Sequence, residues 1–173
     1  MGDCQKLGVP QVHAQTLYRN LYKRHHNEPW EDPSLPKTLQ SFGAAHWQLQ
    51  LPDLVTVRQS AYDSSVKFVL QFDDGSQVET VLMPEKGRIT LCVSSQVGCA
   101  QGCVFCHTGR MGLKRHLSPG EIVSQLVVAS RWLDEHPQWL DKLSLPRNLR
   151  VTNVVFMGMG EPLDNVDGVM AAT

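Results

Sequence analysis

The spacing of hydrophobic positions shifts along this chain from helical to alternating and back to helical, and each shift predicts an element. Across residues 11–26, Val12, Leu17 and Leu21 recur at helical intervals with Tyr18 and Tyr22, while Arg19, Lys23, Arg24, His25 and His26 occupy the outer side and the end. The pattern predicts an amphipathic helix whose cations suit the negative C-terminal end of its dipole. Pro29, Pro33 and Pro36 then interrupt helicity, and residues 35–49 predict a second short helix. Together these elements predict a small helical domain over residues 1–52.

From Ser65 the period becomes two. Val66, Phe68, Leu70 and Phe72 alternate with Lys67, Val69 and Gln71; Asp74-Gly75 marks a turn; and Val78, Thr80 and Leu82 alternate with Glu79, Val81 and Met83. This predicts a β-hairpin, set in a connector over residues 53–87. On periodicity alone, Glu79 points away from the Val78 and Leu82 face and is an exposed strand charge. Residues 88–94 predict a third strand, with Ile89, Leu91 and Val93 on one side and Thr90, Cys92 and Ser94 on the other.

Farther along, Ser118 as N-cap, Pro119 at the first helical position and Glu121 at the third form a capping box ahead of Ile122, Leu126, Ala129 and Leu133 on one helix face. The helix is expected to reach Glu135. A linker with Pro137 and Pro146 leads to residues 151–157, a mostly apolar, β-branched run that predicts a buried parallel strand. Strand, loop, helix and strand make a βαβ unit. The fold class is therefore α/β with a parallel sheet, whose ligand chemistry gathers at the C-terminal strand ends.

Composition narrows the class. With 42% hydrophobic and 19% charged residues, the 173-residue chain is expected to be soluble and globular. No apolar run approaches the roughly 18 residues of a membrane span, so a cytoplasmic, reducing setting without a membrane partner is expected. The formal charge of −1 gives no global attraction to nucleic acid. Any RNA contact must come from local patches, of which the cations ending the first helix are one candidate, although each alone is an ordinary solvated charge.

The chemistry concentrates in residues 92–106, which hold four of the five cysteines. Cys99, Cys103 and Cys106 are spaced C-x3-C-x2-C, with Gly98 and Gly102 allowing the backbone to curl, so their thiolates can converge on one soft metal centre. A cubane cluster normally has four cysteine ligands, and three suggest an iron left open for another ligand. Other readings remain open at this point. Cys103-Val-Phe-Cys106-His107 is the C-x-x-C-H pattern of covalent haem attachment, which needs export and leaves Cys99 without a role. A zinc site with His107 lacks the usual separated pairs of ligands, and a disulfide framework fits poorly with an odd and sparse cysteine count. Cys92, at the end of the third strand, is a small core residue or a reactive thiol near the metal loop.

These motifs resemble a known family. A C-x3-C-x2-C loop after one strand and a Gly-Glu-Pro turn after the next resemble radical S-adenosylmethionine (SAM) enzymes. The strings at residues 79–84 (Glu-Thr-Val-Leu-Met-Pro), 90–99 (Thr-Leu-Cys-Val-Ser-Ser-Gln-Val-Gly-Cys) and 152–162 (Thr-Asn-Val-Val-Phe-Met-Gly-Met-Gly-Glu-Pro) are similar to the adenosine-C2 methyltransferases of 23S rRNA and tRNA and to the related C8 resistance methyltransferases. The resemblance implies the N-terminal part of a partial (β/α) radical SAM barrel over residues 88–173, preceded by the helical domain and hairpin. It implies a [4Fe–4S] cluster on Cys99, Cys103 and Cys106 with SAM at the open iron, Phe105 near the adenine, and Gly160 and Glu161 at the SAM ammonium, where an acidic acceptor suits a cation. It implies Glu79 as a proton acceptor, against the periodicity reading, and Cys92 as the thiol that resolves an enzyme–RNA adduct. The implied partners are 23S rRNA, also tRNA, and an electron donor such as flavodoxin or ferredoxin.

A non-catalytic iron–sulfur or zinc RNA-interaction module is the alternative. His107 and His116 depart from the family pattern and are expected to be surface variation. The final residues open a helix within which the sequence stops, so two barrel strands are expected without the family's methyl-carrying cysteine. The expectation is that this chain alone lacks methyl transfer activity.

Overall fold

The computed structural model describes residues 9–24 and 26–173. His25, one of the basic residues grouped after the first helix, lies outside the described residues, as do residues 1–8. The chain divides into two compact units, Met1–Gln50 and Leu51–Thr173.

In the first unit, α1 (Gln11–Tyr22) begins after Pro10 and ends before His26, short of the expected end. The reason is tertiary. Buried Asn20 donates to the Pro29 carbonyl at 3.0 Å and to Asp32 at 2.9 Å, fastening the returning chain to the helix end. A 3-10 turn at Pro29–Glu31 follows. Helix α2 (Lys37–His46) starts after Pro36, which keeps Leu35 out of helical backbone; Leu35, Trp30 and Leu39 are all buried. Gly43 is needed there: a Cβ at this position would stand 2.5 Å from the Trp30 Cβ.

The second unit is built on a five-stranded sheet of β1 (Asp53–Gln59), β2 (Val66–Gln71), β3 (Gln77–Glu85), β4 (Arg88–Cys92) and β7 (Asn153–Val155), side by side in that order. Strand β1 (Asp53–Gln59) was not anticipated by periodicity. It is an edge strand exposed almost throughout, so pairing with its neighbour rather than a buried face makes it a strand. The hairpin is present as β2 (Val66–Gln71) and β3 (Gln77–Glu85), in register Val66↔Leu82 and Val69↔Glu79, with Gly75 at φ +77° in the turn. Val66, Phe68, Leu70, Val78 and Leu82 are buried, as the alternation predicts. Strand β4 (Arg88–Cys92) pairs antiparallel with β3, so hairpin and cysteine strand share one sheet.

Beyond β4 come β5 (Gln96–Val97), the short helix α3 (His107–Arg110), β6 (Arg115–His116) and α4 (Pro119–Glu135). Helix α4 has the capping box expected of Ser118 and Glu121, and Ile122, Ala129, Trp132 and Leu133 join the core with the sheet. The expected linker is partly helical: α5 (Pro137–Lys142) forms because Trp139 and Leu140 reach the core and stabilise the short turn. Strand β7 (Asn153–Val155) pairs parallel with β4, in register Leu91↔Val154.

The expectation of a buried strand over residues 151–157 is corrected. Strand β7 is the outermost strand of the sheet, so Val154 is 44% exposed and Met157 81%. A 3-10 turn (Pro162–Asn165) and α6 (Val166–Ala172) follow, with α6 packed on α4. The architecture is mixed α/β, mostly antiparallel, with one parallel β4–α4–β7 unit. No helix among the described residues is long and apolar enough to cross a membrane.

Candidate functional site

The cysteine-bearing segment is a loop closed at its base. Strands β5 and β6 pair antiparallel, Gln96 opposite His116 and Val97 opposite Arg115, and Lys114 N–H bonds the Val97 carbonyl at 2.9 Å. Just above, Cys99 N–H reaches the Gly112 carbonyl at 3.2 Å. Gly98, at φ +77°, allows this closure, because a Cβ there would lie 1.8 Å from that same carbonyl oxygen. Arg115 pins the base from outside by pairing with Asp74 of the hairpin turn at 2.6 Å and with Glu121 of the α4 capping box at 2.7 Å.

Within the loop, Cys99 is buried, Cys106 half-buried and Cys103 exposed. Among the described residues no three His, Cys, Asp or Glu side chains are gathered closely enough to grip an ion. The donor chemistry nonetheless suits a thiolate-bound cluster. The Gly109 amide, with the Thr108 amide and hydroxyl, holds the Cys106 thiol below its ordinary range, and the Gln101 amide lies 3.5 Å from Cys99 Sγ. The amides directed at the Cys106 sulfur favour the deprotonated form that metal ligation requires. Phe105 is 89% exposed between Cys103 and Cys106.

The second part of the site is the turn at residues 158–162, following β7. Gly158 N–H bonds the Val93 carbonyl at 3.1 Å, and a Cβ there would come within 2.7 Å of that oxygen. Gly160 has φ +100°, and a Cβ on it would stand 2.5 Å from the Gln96 Cβ. The turn thus lies directly against the segment joining β4 to the cysteine loop. Glu161 caps the following 3-10 turn by accepting from Leu163 N–H at 3.0 Å. Gln101 of the cysteine loop donates to Asp164 at 2.8 Å, linking the two parts.

Ser94, Ser95 and Gln96, all buried, organise this junction. Ser94 donates its hydroxyl to the Glu79 carbonyl at 2.6 Å and accepts Met159 N–H at 2.9 Å. The Gln125 amide of α4 clamps Ser94 from the other side, accepting its N–H at 2.8 Å and donating to its carbonyl at 2.9 Å, and it also accepts the Thr80 hydroxyl. Asn165 donates to the Ser95 and Leu117 carbonyls. Gln96 accepts Glu161 N–H at 2.8 Å and donates to His116 Nδ1 at 3.1 Å. His116, expected to be surface variation, is therefore tied to the site, while His107 is exposed at the start of α3.

The remaining sequence-derived candidates take separate positions. Glu79 is half-exposed on β3, its carboxylate paired with Lys67 at 2.8 Å and its amide directed at Met159 Sδ. Cys92 ends β4, with Val81 and Val155 as sheet neighbours. Burial pushes its thiol up, partly offset by the Met157 amide. The structure thus connects Glu161 to the base of the cysteine loop through Gln96, ties Asp164 to the loop through Gln101, and brings the Glu79 backbone to the same junction through Ser94. The Glu79 carboxylate instead lies with Lys67. Sequence reasoning missed Ser94, Gln96, Gln125 and Asn165. The available signal was three successive polar residues directly after an apolar strand, which a buried junction requires to be fully hydrogen-bonded.

No family model matches the chain. Over 95% of its length it is 40% identical to the probable dual-specificity RNA methyltransferase RlmN of Chlorobium chlorochromatii, and over 97% it is 42% identical to the dual-specificity RNA methyltransferase RlmN of Desulfotalea psychrophila. It spans 43% and 45% of those proteins, under half the length of the curated relatives it matches. Among solved structures, a radical SAM methyltransferase from Sphaerobacter thermophilus superposes with a TM-score of 0.79 at 36% identity, covering 99% of this chain and 47% of that one. The resemblance drawn from the motifs and the expected fold class both agree with these relatives.

Proposed function

From this kinship with radical SAM RNA methyltransferases along nearly the whole chain, we propose that the chain is the cluster- and SAM-binding part of an enzyme that methylates an adenosine carbon. The favoured position is C2, in 23S rRNA and also in tRNA. The observation carrying this reading is the junction of the three-cysteine loop with the Gly-Glu-Pro turn at the C-terminal ends of the parallel strands β4 and β7, joined through Gln96. Ligand sites in such sheets occupy these strand ends.

Cys99, Cys103 and Cys106 would hold a [4Fe–4S] cluster, which when bound supplies the electron for reductive cleavage of SAM. Gly160 and Glu161 receive the SAM ammonium, the carboxylate balancing its charge, and exposed Phe105 offers an apolar face to the adenine. Glu79 serves as proton acceptor. Cys92 serves as the thiol that resolves an enzyme–RNA adduct: once deprotonated, its sulfur would form a disulfide with the adduct-bearing cysteine as that cysteine's carbon–sulfur bond to the RNA breaks and the electron pair passes to the RNA carbon. In this reading residues 1–52 form an RNA-facing helical domain, residues 53–87 the connector and residues 88–173 part of the barrel, with flavodoxin or ferredoxin as electron donor.

The test is anaerobic reconstitution of the chain with iron and sulfide. The expected result is a broad visible absorbance and, after reduction, an electron paramagnetic resonance signal that changes shape on adding SAM, both lost in C106A. A chain that retains zinc and assembles no cluster would replace this reading with the non-catalytic RNA module.

A further inference from the structure

Gln96 is fully buried, and both ends of its side-chain amide are engaged: Oε1 accepts the Glu161 N–H at 2.8 Å, and Nε2 lies 3.1 Å from His116 Nδ1. A backbone N–H can only donate, so the Glu161 contact fixes which end of the amide faces the turn. The other end is then a donor, and His116 Nδ1 must accept from it. A ring that accepts at Nδ1 carries its proton on Nε2 and is neutral. The tautomer of His116 thus follows from the backbone amide of Glu161.

Protonating that ring removes the acceptor. An imidazolium donates from both nitrogens, so its Nδ1–H faces the Gln96 NH2, donor against donor. Two escapes exist, and both loosen the turn. If the Gln96 amide rotates to offer Oε1 to the imidazolium, the Glu161 N–H loses its acceptor. If His116, exposed at the loop base, swings into water instead, the Gln96 NH2 loses its partner in the protein interior. The charged groups of the neighbouring elements are already engaged. Arg115 on the same strand pairs with Asp74 of the hairpin turn and Glu121 of α4, and on β3, which packs against β5, Glu79 pairs with Lys67. In the turn, Glu161 accepts from Leu163 N–H and Asp164 from Gln101. Lys114 is exposed, and Cys99 farther up the loop is buried. Histidine, unlike carboxylates, lysine or arginine, is the side-chain type that changes charge within the physiological range.

We infer that neutral His116 is a positioning residue for the Gly160–Glu161 turn: it holds the Gln96 amide in the orientation that presents Oε1 to the Glu161 N–H, and its protonation loosens that hold. The turn has little room to absorb the change, because Gly160 lies against the same glutamine, where a Cβ would stand 2.5 Å from the Gln96 Cβ. The bearing on SAM rests on the proposed function, in which this turn receives the ammonium. The hold itself does not.

The experiment follows the complete, unreconstituted chain by nuclear magnetic resonance from about pH 8 to about pH 5. At the alkaline end the imidazole nitrogen shifts should report the Nε2–H tautomer of His116. As the ring takes up its proton, hydrogen-exchange protection of the Glu161 amide, corrected for the intrinsic effect of pH on exchange, should fall by about three- to tenfold. In H116N a side-chain carbonyl takes the place of Nδ1 and does not titrate, so protection should persist to the acid end. In H116A it should be low throughout. An Nδ1–H tautomer, wild-type protection that ignores the histidine titration, the same acid loss in H116N, or full alkaline protection in H116A overturns the inference. In the reconstituted chain, SAM affinity read from the electron paramagnetic resonance change should fall toward acid by about threefold or more relative to H116N. Parallel affinities in the two proteins also overturn the positioning role. A chain that assembles no cluster defeats the proposed function alone, because the amide measurement needs no cluster.

Discussion

Gln96 accepts the backbone N–H of Glu161 at 2.8 Å, although the two residues belong to segments 65 positions apart. The Gln96 side chain is fully buried, so this bond fixes the Gly160–Glu161 turn against the base of the cysteine loop. Replacing it by alanine (Q96A) leaves the Glu161 amide and the His116 ring without their partner. A loss of about 1–3 kcal/mol in urea-unfolding stability is expected. An unchanged midpoint would remove Gln96 from this role.

Gly98 and Gly102 both adopt left-handed backbone, at φ +77° and +61°, yet they differ in surroundings. A Cβ at Gly98 would collide with the Gly112 carbonyl, whereas nothing lies within 4 Å of one at Gly102. G98A should therefore open the base of the loop and lower the iron and sulfide bound per chain after reconstitution. G102A should cost only the backbone strain of about 1–2 kcal/mol and retain most of the cluster. Equal cluster content in the two variants would contradict this account of the loop.

Asp32 gives the helical unit an acid sensitivity. The hydroxyl and amide of Ser34, with the Asn20 side chain, hold its carboxyl down from 3.8 to about 2. A carboxyl whose folded pKa lies below its unfolded value contributes stability above the unfolded value, and that contribution is lost as pH falls through the folded value. Hydrogen-exchange protection of α1 and α2 should accordingly decline between about pH 4 and pH 2. In D32N the part of the decline due to this group should vanish, and an identical pH profile in the variant would refute the assignment.

The cysteines should separate by accessibility. Cys103 is exposed, while Cys92 is buried and its thiol is pushed up by burial. Maleimide labelling followed by peptide mass spectrometry should modify Cys103 well before Cys92 in the folded apo chain, with Cys92 reacting only after urea unfolds the sheet. Early labelling of Cys92 would place it outside the β3–β4–β7 core.

The amino-acid sequence by itself determined the features that arise from local chemistry. The capping box of Ser118 and Glu121 appears where it was expected, because a hydroxyl and a carboxylate three residues apart satisfy the first amides of a helix without distant help. The hairpin follows from alternation and one turn glycine, and the cysteine triplet is legible because its spacing lies within one loop. Tertiary structure alone decided the rest. Helix α1 ends early because Asn20 bonds a segment that returns to it, β1 exists through pairing rather than burial, and β7 is exposed because it is the outermost strand. The junction at Ser94, Ser95 and Gln96 depends on Gln125, Met159, Glu161 and Asn165, which are remote in the chain. Buried polar side chains are defined by partners that only folding supplies, and no spacing rule on one segment can name them.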